Sequence, residues 1–221
     1  MMMNLFSVFD PSVMMFQLNW ISFLFVFMAI PISFYFIKSG LVFLVSNGFY
    51  SMGMSLKEIV NPHHMGMMLL GLGVFVFLML NNVMGLFSFV FVSTAHPMFT
   101  MSMGLVYWVS FAVMGWVKTF SKSAGHLVPE GSPLLLAPVL VLIELISHLI
   151  RPFTLSIRLA ANMMAGHLIM GLLSSISLVQ GSSFVISVFM QMTLYLLEFA
   201  VALIQGLVFS ILLLLYAVDY Y

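Results

Sequence analysis

The chain has 221 residues, of which 63% are hydrophobic, while only 6 are Lys or Arg and 6 are Asp or Glu. A charged share of 5%, against about 25% in soluble domains, leaves too few polar side chains for a water-exposed surface. This composition predicts an integral membrane protein and excludes a basic nucleic-acid-binding surface. The absence of cysteine excludes disulfides, thiolate nucleophiles and thiolate metal ligands.

The apolar stretches between the charged residues predict one all-α membrane domain over residues 1–221, beginning with about three upright spans. The first span is expected at 13–36, because a helix of that length crosses a hydrocarbon core of about 30 Å. Residues 38–61 mix apolar runs with Gly, Ser and the charged pair Lys57-Glu58. That mixture favours an interfacial segment lying on the membrane.

Two further spans are expected at 65–92 and 99–117, separated by a polar turn around His96. If the first three spans alternate in direction, all the lysines fall on one side of the membrane, namely Lys38, Lys57, Lys118 and Lys122. The positive-inside rule assigns that side to the cytoplasm or the matrix of an organelle, with the N-terminus on the opposite side.

The last third of the chain predicts a hairpin of two long helices at 134–178 and 184–218. As helices they would measure about 67 Å and about 52 Å, too long for upright spans. We therefore expect them to be strongly tilted, or broken at Pro138 and Pro152.

Charged side chains inside this hairpin point to a polar pathway, because each costs about 2.5–3.5 kcal/mol in a membrane span. Glu144, Arg151 and Arg158 are spaced by seven residues and share one helical stripe. His167 lies about 180° from Arg158 around the helix, where Glu198 of the second arm is expected to meet it. For Arg151 two roles stay open, an ion pair with Glu144 or a place in the pathway.

Two rival functions compete with proton movement. A haem-binding electron-transfer subunit would need two His ligands, but His148 and His167 are about 100° out of phase on one helix. A purely structural membrane scaffold would tolerate uncharged residues at Arg158 and Glu198. We expect no cofactor, no metal and no catalytic residue in the chain itself.

The segment Thr154–Met163, with Arg158 followed four residues later by Asn162, resembles the signature of subunit a of F-type ATP synthases. The likeness continues through Ala165–Leu168 and Leu197–Gly206 and covers essentially the whole chain. The short length of the chain, its methionine richness and its lack of cysteine resemble the mitochondrially encoded animal form of this subunit.

The resemblance implies a stator subunit that carries protons past a rotating ring of c subunits through two half-channels. By that resemblance Arg158 faces the ring carboxylate, with Asn162 and Gln205 as its hydrogen-bonding neighbours. His167 and Glu198 match the pair at the inlet from the intermembrane space.

Glu144 matches the outlet to the matrix in the same comparison, and Asp219 matches a channel mouth. The implied location is the mitochondrial inner membrane, with the N-terminus on the intermembrane-space side. The implied partners are the c-ring, the peripheral-stalk and accessory membrane subunits, the lipid bilayer, and the soluble nucleotide-binding head indirectly.

Overall fold

The computed structural model is helical in its described parts, which are residues 9–12, 17–28, 39–59, 65–87, 90–118, 120, 124–125, 127–128, 136–179 and 184–219. Within these ranges the α-helices, in chain order, are α1 (Ser22–Met28), α2 (Gly40–Ile59), α3 (Met65–Gly85), α4 (Pro97–Lys118), α5 (Ala137–Val179) and α6 (Phe184–Asp219). Two short 3-10 turns precede α1 and α4, at Leu18–Ile21 and Ser93–Ala95. Helices α3 to α6 are each long and apolar enough to cross a membrane. The chain is therefore an all-α, multi-pass integral membrane protein, as its composition predicts.

The described residues before α3 contain one short α-helix and one long α-helix. The span predicted at 13–36 lies partly outside the described residues, and its described part contains α1. Where the sequence suggests an interfacial segment, the structure has α2, a 20-residue helix. Helix α2 buries Gly53 and Leu56 and packs against α3 and α6, while Phe43 and Leu44 stay exposed on its outer side.

The four long helices pack in the order α3, α6, α5, α4, so that α6 lies between α3 and α5. Small residues permit the close approach, as is usual for helices in membranes. A methyl group at Gly206 of α6 would lie 3.4 Å from the backbone nitrogen of Met79 in α3. A methyl group at Gly71 of α3 would lie 2.8 Å from Cγ of Leu214, so the leucine would have to shift to admit it, whereas the contact at Gly206 is an ordinary one.

The main core joins these helices through buried aliphatic and aromatic side chains, Leu56, Met67, Val74, Leu78, Phe111, Leu155, Leu159, Phe209, Leu213, Leu214 and Ala217. Helix α5 contributes Leu155 and Leu159, which are 6% and 1% exposed. Because these two residues point into the bundle, the opposite side of α5 remains on the surface.

Helix α5 runs for 43 residues without interruption through Pro152. The sequence allowed either a break or a tilt for this segment, and the structure contains no break there. The hydroxyl of Ser156 donates to the carbonyl oxygen of Pro152 at 2.9 Å. A methyl group at Gly104 of α4 would lie 3.5 Å from the same oxygen, so α4 packs closely over this turn. A strong tilt of α5 and α6 stays a prediction.

Candidate functional site

Arg158 lies on the outer surface of α5. The side chain of Arg158 is exposed, whereas the neighbouring Leu155 and Leu159 are buried in the core. Within the described ranges its guanidinium forms no ion pair with a carboxylate. A cation facing lipid there would cost at least about 2.5–3.5 kcal/mol. We therefore expect a polar partner, instead of lipid, to cover this surface.

A shallow groove of about 180 Å³ begins one turn beyond Arg158, between α5 and α6. Its walls are Asn162, Ala165, Gly166, Ile169, Met170, Leu194, Leu197, Glu198 and Val201. The groove starts next to Arg158, because its wall residue Asn162 follows Arg158 by four positions on the same helix.

A larger cavity of about 440 Å³ lies at the end of the bundle that carries the N-terminal segment and the connection between α3 and α4. Its walls are Phe9, Gly85, Leu86, Phe87, Val90, Val92, His167, Met170, Tyr195 and Glu198. The structure thus brings His167 of α5 and Glu198 of α6 to one cavity, although they are 31 residues apart in the chain.

Glu198 lies at the junction of these two spaces, since it lines both the cavity and the groove. Its side chain is 8% exposed, and among the described residues neither its Oε1 atom nor Nε2 of His167 has a hydrogen-bond partner. Buried polar atoms are normally hydrogen-bonded, and water commonly supplies the bond where there is room. At about 30 Å³ per molecule, the cavity can hold several waters.

Gly166 provides the space that the Glu198 side chain occupies. A methyl group at position 166 would lie 2.5 Å from Cδ and 3.1 Å from Cγ of Glu198, distances that real Cβ atoms rarely adopt. The carboxylate therefore reaches both spaces only because residue 166 has no side chain.

The sequence interpretation missed two buried polar residues, Asn82 of α3 and Thr94 in the turn before α4. Asn82 of α3 donates from Nδ2 to the carbonyl oxygen of Ala202 at 3.3 Å, one helical turn from Glu198. Asn82 and Thr94 are 0% exposed, yet Oδ1 of Asn82 and Oγ1 of Thr94 have no hydrogen-bond partner in the part of the chain that the structure describes. The sequence indicated these two residues only weakly, as uncharged polar side chains in a stretch that contains no Asp, Glu, Lys or Arg.

Gln205 and Asp219 are placed further along α6. Gln205 is half-buried, two turns beyond Glu198. In the described part of the chain, no hydrogen bond joins Arg158 to Asn162 or Gln205. Asp219 ends α6, and its side chain lies outside the described residues.

Glu144 belongs to a separate polar cluster near the opposite end of α5. Its Oε1 atom lies 3.4 Å from Nε2 of His148 and 3.6 Å from Nη2 of Arg151. The Arg151 guanidinium also lies 5.6 Å from the centre of the Tyr216 ring of α6. Of the two roles considered for Arg151, the ion pair with Glu144 is therefore present in the structure.

The geometry argues against one haem bound by His148 and His167. Both residues lie on the unbroken helix α5, where 19 positions correspond to about 28 Å. A single iron atom cannot bind imidazoles that are so far apart.

Comparison with known proteins identifies the family of the chain. The family model described as ATP synthase A chain matches residues 3–218. The chain is 41% identical to ATP synthase subunit a of Artemia franciscana over 218 residues, covering 98% of this chain and 99% of the relative. It is 41% identical to ATP synthase subunit a of Locusta migratoria over 229 residues, covering 100% of both chains. It is 39% identical to that of Drosophila melanogaster over 222 residues, covering 98% of both. The chain therefore belongs to the ATP synthase subunit a family, the proton-translocating subunit of the membrane-embedded F0 sector.

Proposed function

We propose that this chain moves protons through two offset half-channels that reach a rotating c-ring on either side of Arg158. His167 and Glu198 carry the inlet, with Asn82 and Thr94 as water-binding groups beside it. Glu144 carries the outlet.

The observation that carries this proposal is the position of Glu198 between the large cavity and the groove beside Asn162. A carboxyl group that borders both spaces can take a proton from water on one side and release it on the other. His167 lines the same cavity and can exchange protons near neutral pH. The groove opens on the surface that carries Arg158, where a ring carboxylate would receive the proton.

Arg158 supplies a fixed positive charge on that surface. A carboxylate in lipid is stable mainly in its protonated form, so ring subunits travel through the bilayer as neutral acids. An ionised partner is favoured only beside the guanidinium, which stays protonated in proteins. The same charge repels protons and prevents direct passage from inlet to outlet.

The outlet is proposed on the other side of Arg158. Glu144 lies 14 residues before Arg158 on continuous α5, a rise of about 21 Å. That distance suits an exit route, and it is too long for direct contact between the two side chains.

The inlet is proposed to open on the intermembrane-space side of the mitochondrial inner membrane, where the N-terminus is also expected. Lys57 and Lys118 lie in the last turns of α2 and α4. Leu56 of α2 belongs to the same core cluster as Leu213 and Leu214 near the end of α6. Lys118 ends a 22-residue helix that begins at the connection bordering the cavity, so both lysines are proposed to lie away from the cavity. The positive-inside rule then assigns the lysine side to the matrix.

The remaining partners follow from membership of the F0 sector. The Arg158 surface is proposed to face the c-ring, while peripheral-stalk and accessory membrane subunits cover other surfaces. The soluble head is coupled only through the rotor.

The double variant His167→Leu, Glu198→Leu tests the inlet. We expect the complex to assemble and its soluble head to hydrolyse ATP, while ATP synthesis driven by an imposed proton gradient in sealed vesicles falls at least tenfold. Gln191→Leu is the matched control, because Gln191 is a half-buried polar residue of the same helix that lines neither space. Unchanged synthesis in the double variant would remove both residues from the pathway.

A further inference from the structure

The proposed outlet contains a second titratable group, His148. It lies one turn after Glu144 on α5, and its side chain is 19% exposed. Its Nε2 atom lies 3.4 Å from Oε1 of Glu144, so a small rotation of either side chain brings them to hydrogen-bonding distance.

Arg151 contacts the same carboxylate but cannot take its proton. Nη2 of Arg151 lies 3.6 Å from Oε1 of Glu144, and the guanidinium also packs over the ring of Tyr216. Since a guanidinium keeps its protons in proteins, His148 is the neighbour of Glu144 that can accept one.

We propose that His148 is the proton relay between Glu144 and the matrix water, so that protons leave the chain from an imidazole. This inference rests on the proposed function, because it takes Glu144 as the outlet.

The transfer balances within the Glu144–His148 pair. Neutral His148 with its proton on Nδ1 accepts the proton of the Glu144 carboxyl group at Nε2, which leaves an ionised carboxylate beside an imidazolium. Water then removes the Nδ1 proton. The remaining neutral ring returns to its first tautomer by proton exchange with water, ready for the next cycle.

The charges in the cluster favour this direction of transfer. A proton on Glu144 removes the negative charge with which Arg151 pairs. A proton on His148 leaves that charge in place and adds a second cation beside it. The carboxylate is thereby returned to the ionised state, in which it can accept the next proton from the ring.

Few other titratable groups lie on the helices that pack against this part of α5. They are Tyr107 and Lys118 on α4, and Tyr216 and Asp219 on α6. Phenols, ammonium groups and carboxylic acids ordinarily exchange protons far from neutral pH, whereas imidazole does so at about 6.5. Among the described residues of these helices, His148 is therefore the group near Glu144 whose ordinary proton exchange falls in the neutral range.

The test uses the assembled ATP synthase carrying His148→Asn, with His148→Gln as a second polar side chain that cannot titrate. ATP synthesis is measured in sealed vesicles at fixed pH on the inlet side, while the matrix-side pH is varied from about 6 to 8 around the ordinary imidazole range. The membrane potential is adjusted at each pH so that the total proton-motive force stays constant. Rates are normalised to uncoupled ATP hydrolysis by the head, which corrects for the pH dependence of the head itself.

We expect the unsubstituted enzyme to show an inflection within the matrix-side range from about pH 6 to 8, in which imidazole commonly titrates, and both variants to lose it with a several-fold slower rate at neutral pH. His96→Asn is the matched control, because His96 lies in the turn before α4, where its ring contacts Trp20 and Phe91. That variant should keep the inflection.

Two outcomes separate this inference from the function on which it rests. If Glu144→Gln slows proton release while both His148 variants keep the inflection, the outlet stands and the relay is refuted. If Glu144→Gln leaves the rate and the matrix-side profile unchanged, the outlet itself is wrong, and the relay fails with it.

Discussion

Substitution of Gly166 by Ala should separate the cavity from the groove without changing any titratable group. The added methyl group would lie 2.5 Å from Cδ of Glu198, well inside van der Waals contact. The glutamate side chain must then rotate away from the position at which it lines both spaces. The backbone of α5 gains helix propensity from the change, so the bundle itself should stay intact.

The expected loss of rate follows from the conformational strain that the Glu198 side chain must take up to line both the cavity and the groove beside the added methyl group. An off-rotamer side chain costs about 0.5–1.5 kcal/mol, and overpacking of a core costs about 1–3 kcal/mol. The carboxylate is the flexible end of a long side chain, so the lower range applies. Each 1.36 kcal/mol is about tenfold in rate, and the variant should therefore slow gradient-driven ATP synthesis by about twofold to about tenfold.

The assay compares proton-driven ATP synthesis in sealed vesicles with uncoupled ATP hydrolysis by the same preparation. Gly104→Ala is the matched control, because its methyl group would lie 3.5 Å from the nearest atoms of α5, an ordinary contact. In the double variant Gly166→Ala, Glu198→Asp the shorter acid removes the clash, and we expect faster synthesis than in Gly166→Ala alone. Normal synthesis by Gly166→Ala would refute the junction role of Glu198.

Three further changes test the remaining parts of the pathway. Arg158→Lys should assemble yet fail in proton-coupled synthesis, because a desolvated lysine can lose its proton; near-normal synthesis in sealed vesicles would contradict the barrier role. Glu144→Gln should slow proton release and alter only the matrix-side pH dependence, so a change confined to the inlet side would refute the outlet. Asn82→Leu removes one hydrogen bond, worth about 1 kcal/mol, and a water-binding oxygen. We expect normal assembly on native gels with slower proton entry, and an unchanged rate would exclude Asn82 from the inlet.

The sequence by itself determined the class of the protein and the position of its charges. A chain with 5% charged residues must bury its apolar side chains in lipid, and helices are the structures that satisfy the backbone there. Residues seven apart return nearly to the same side of a helix, so the spacing alone predicts the common stripe of Glu144, Arg151 and Arg158. The opposite direction of His167 follows from the same period.

Only the tertiary structure decided which residues share a space. Helical periodicity describes the faces of one helix and carries no information on what an adjacent helix presents at the same depth. The role of Asn82, for example, depends on its hydrogen bond to Ala202 on α6. The role of Gly166 depends on the side chain of Glu198, which occupies the space that a Cβ atom at position 166 would fill. The pairing of His148 with Glu144 could have been predicted from the sequence, since the two residues are four apart on one helix. The position of Glu198 between cavity and groove depended on how α5 and α6 pack, because cavities form where side chains of different helices fail to fill the space between them.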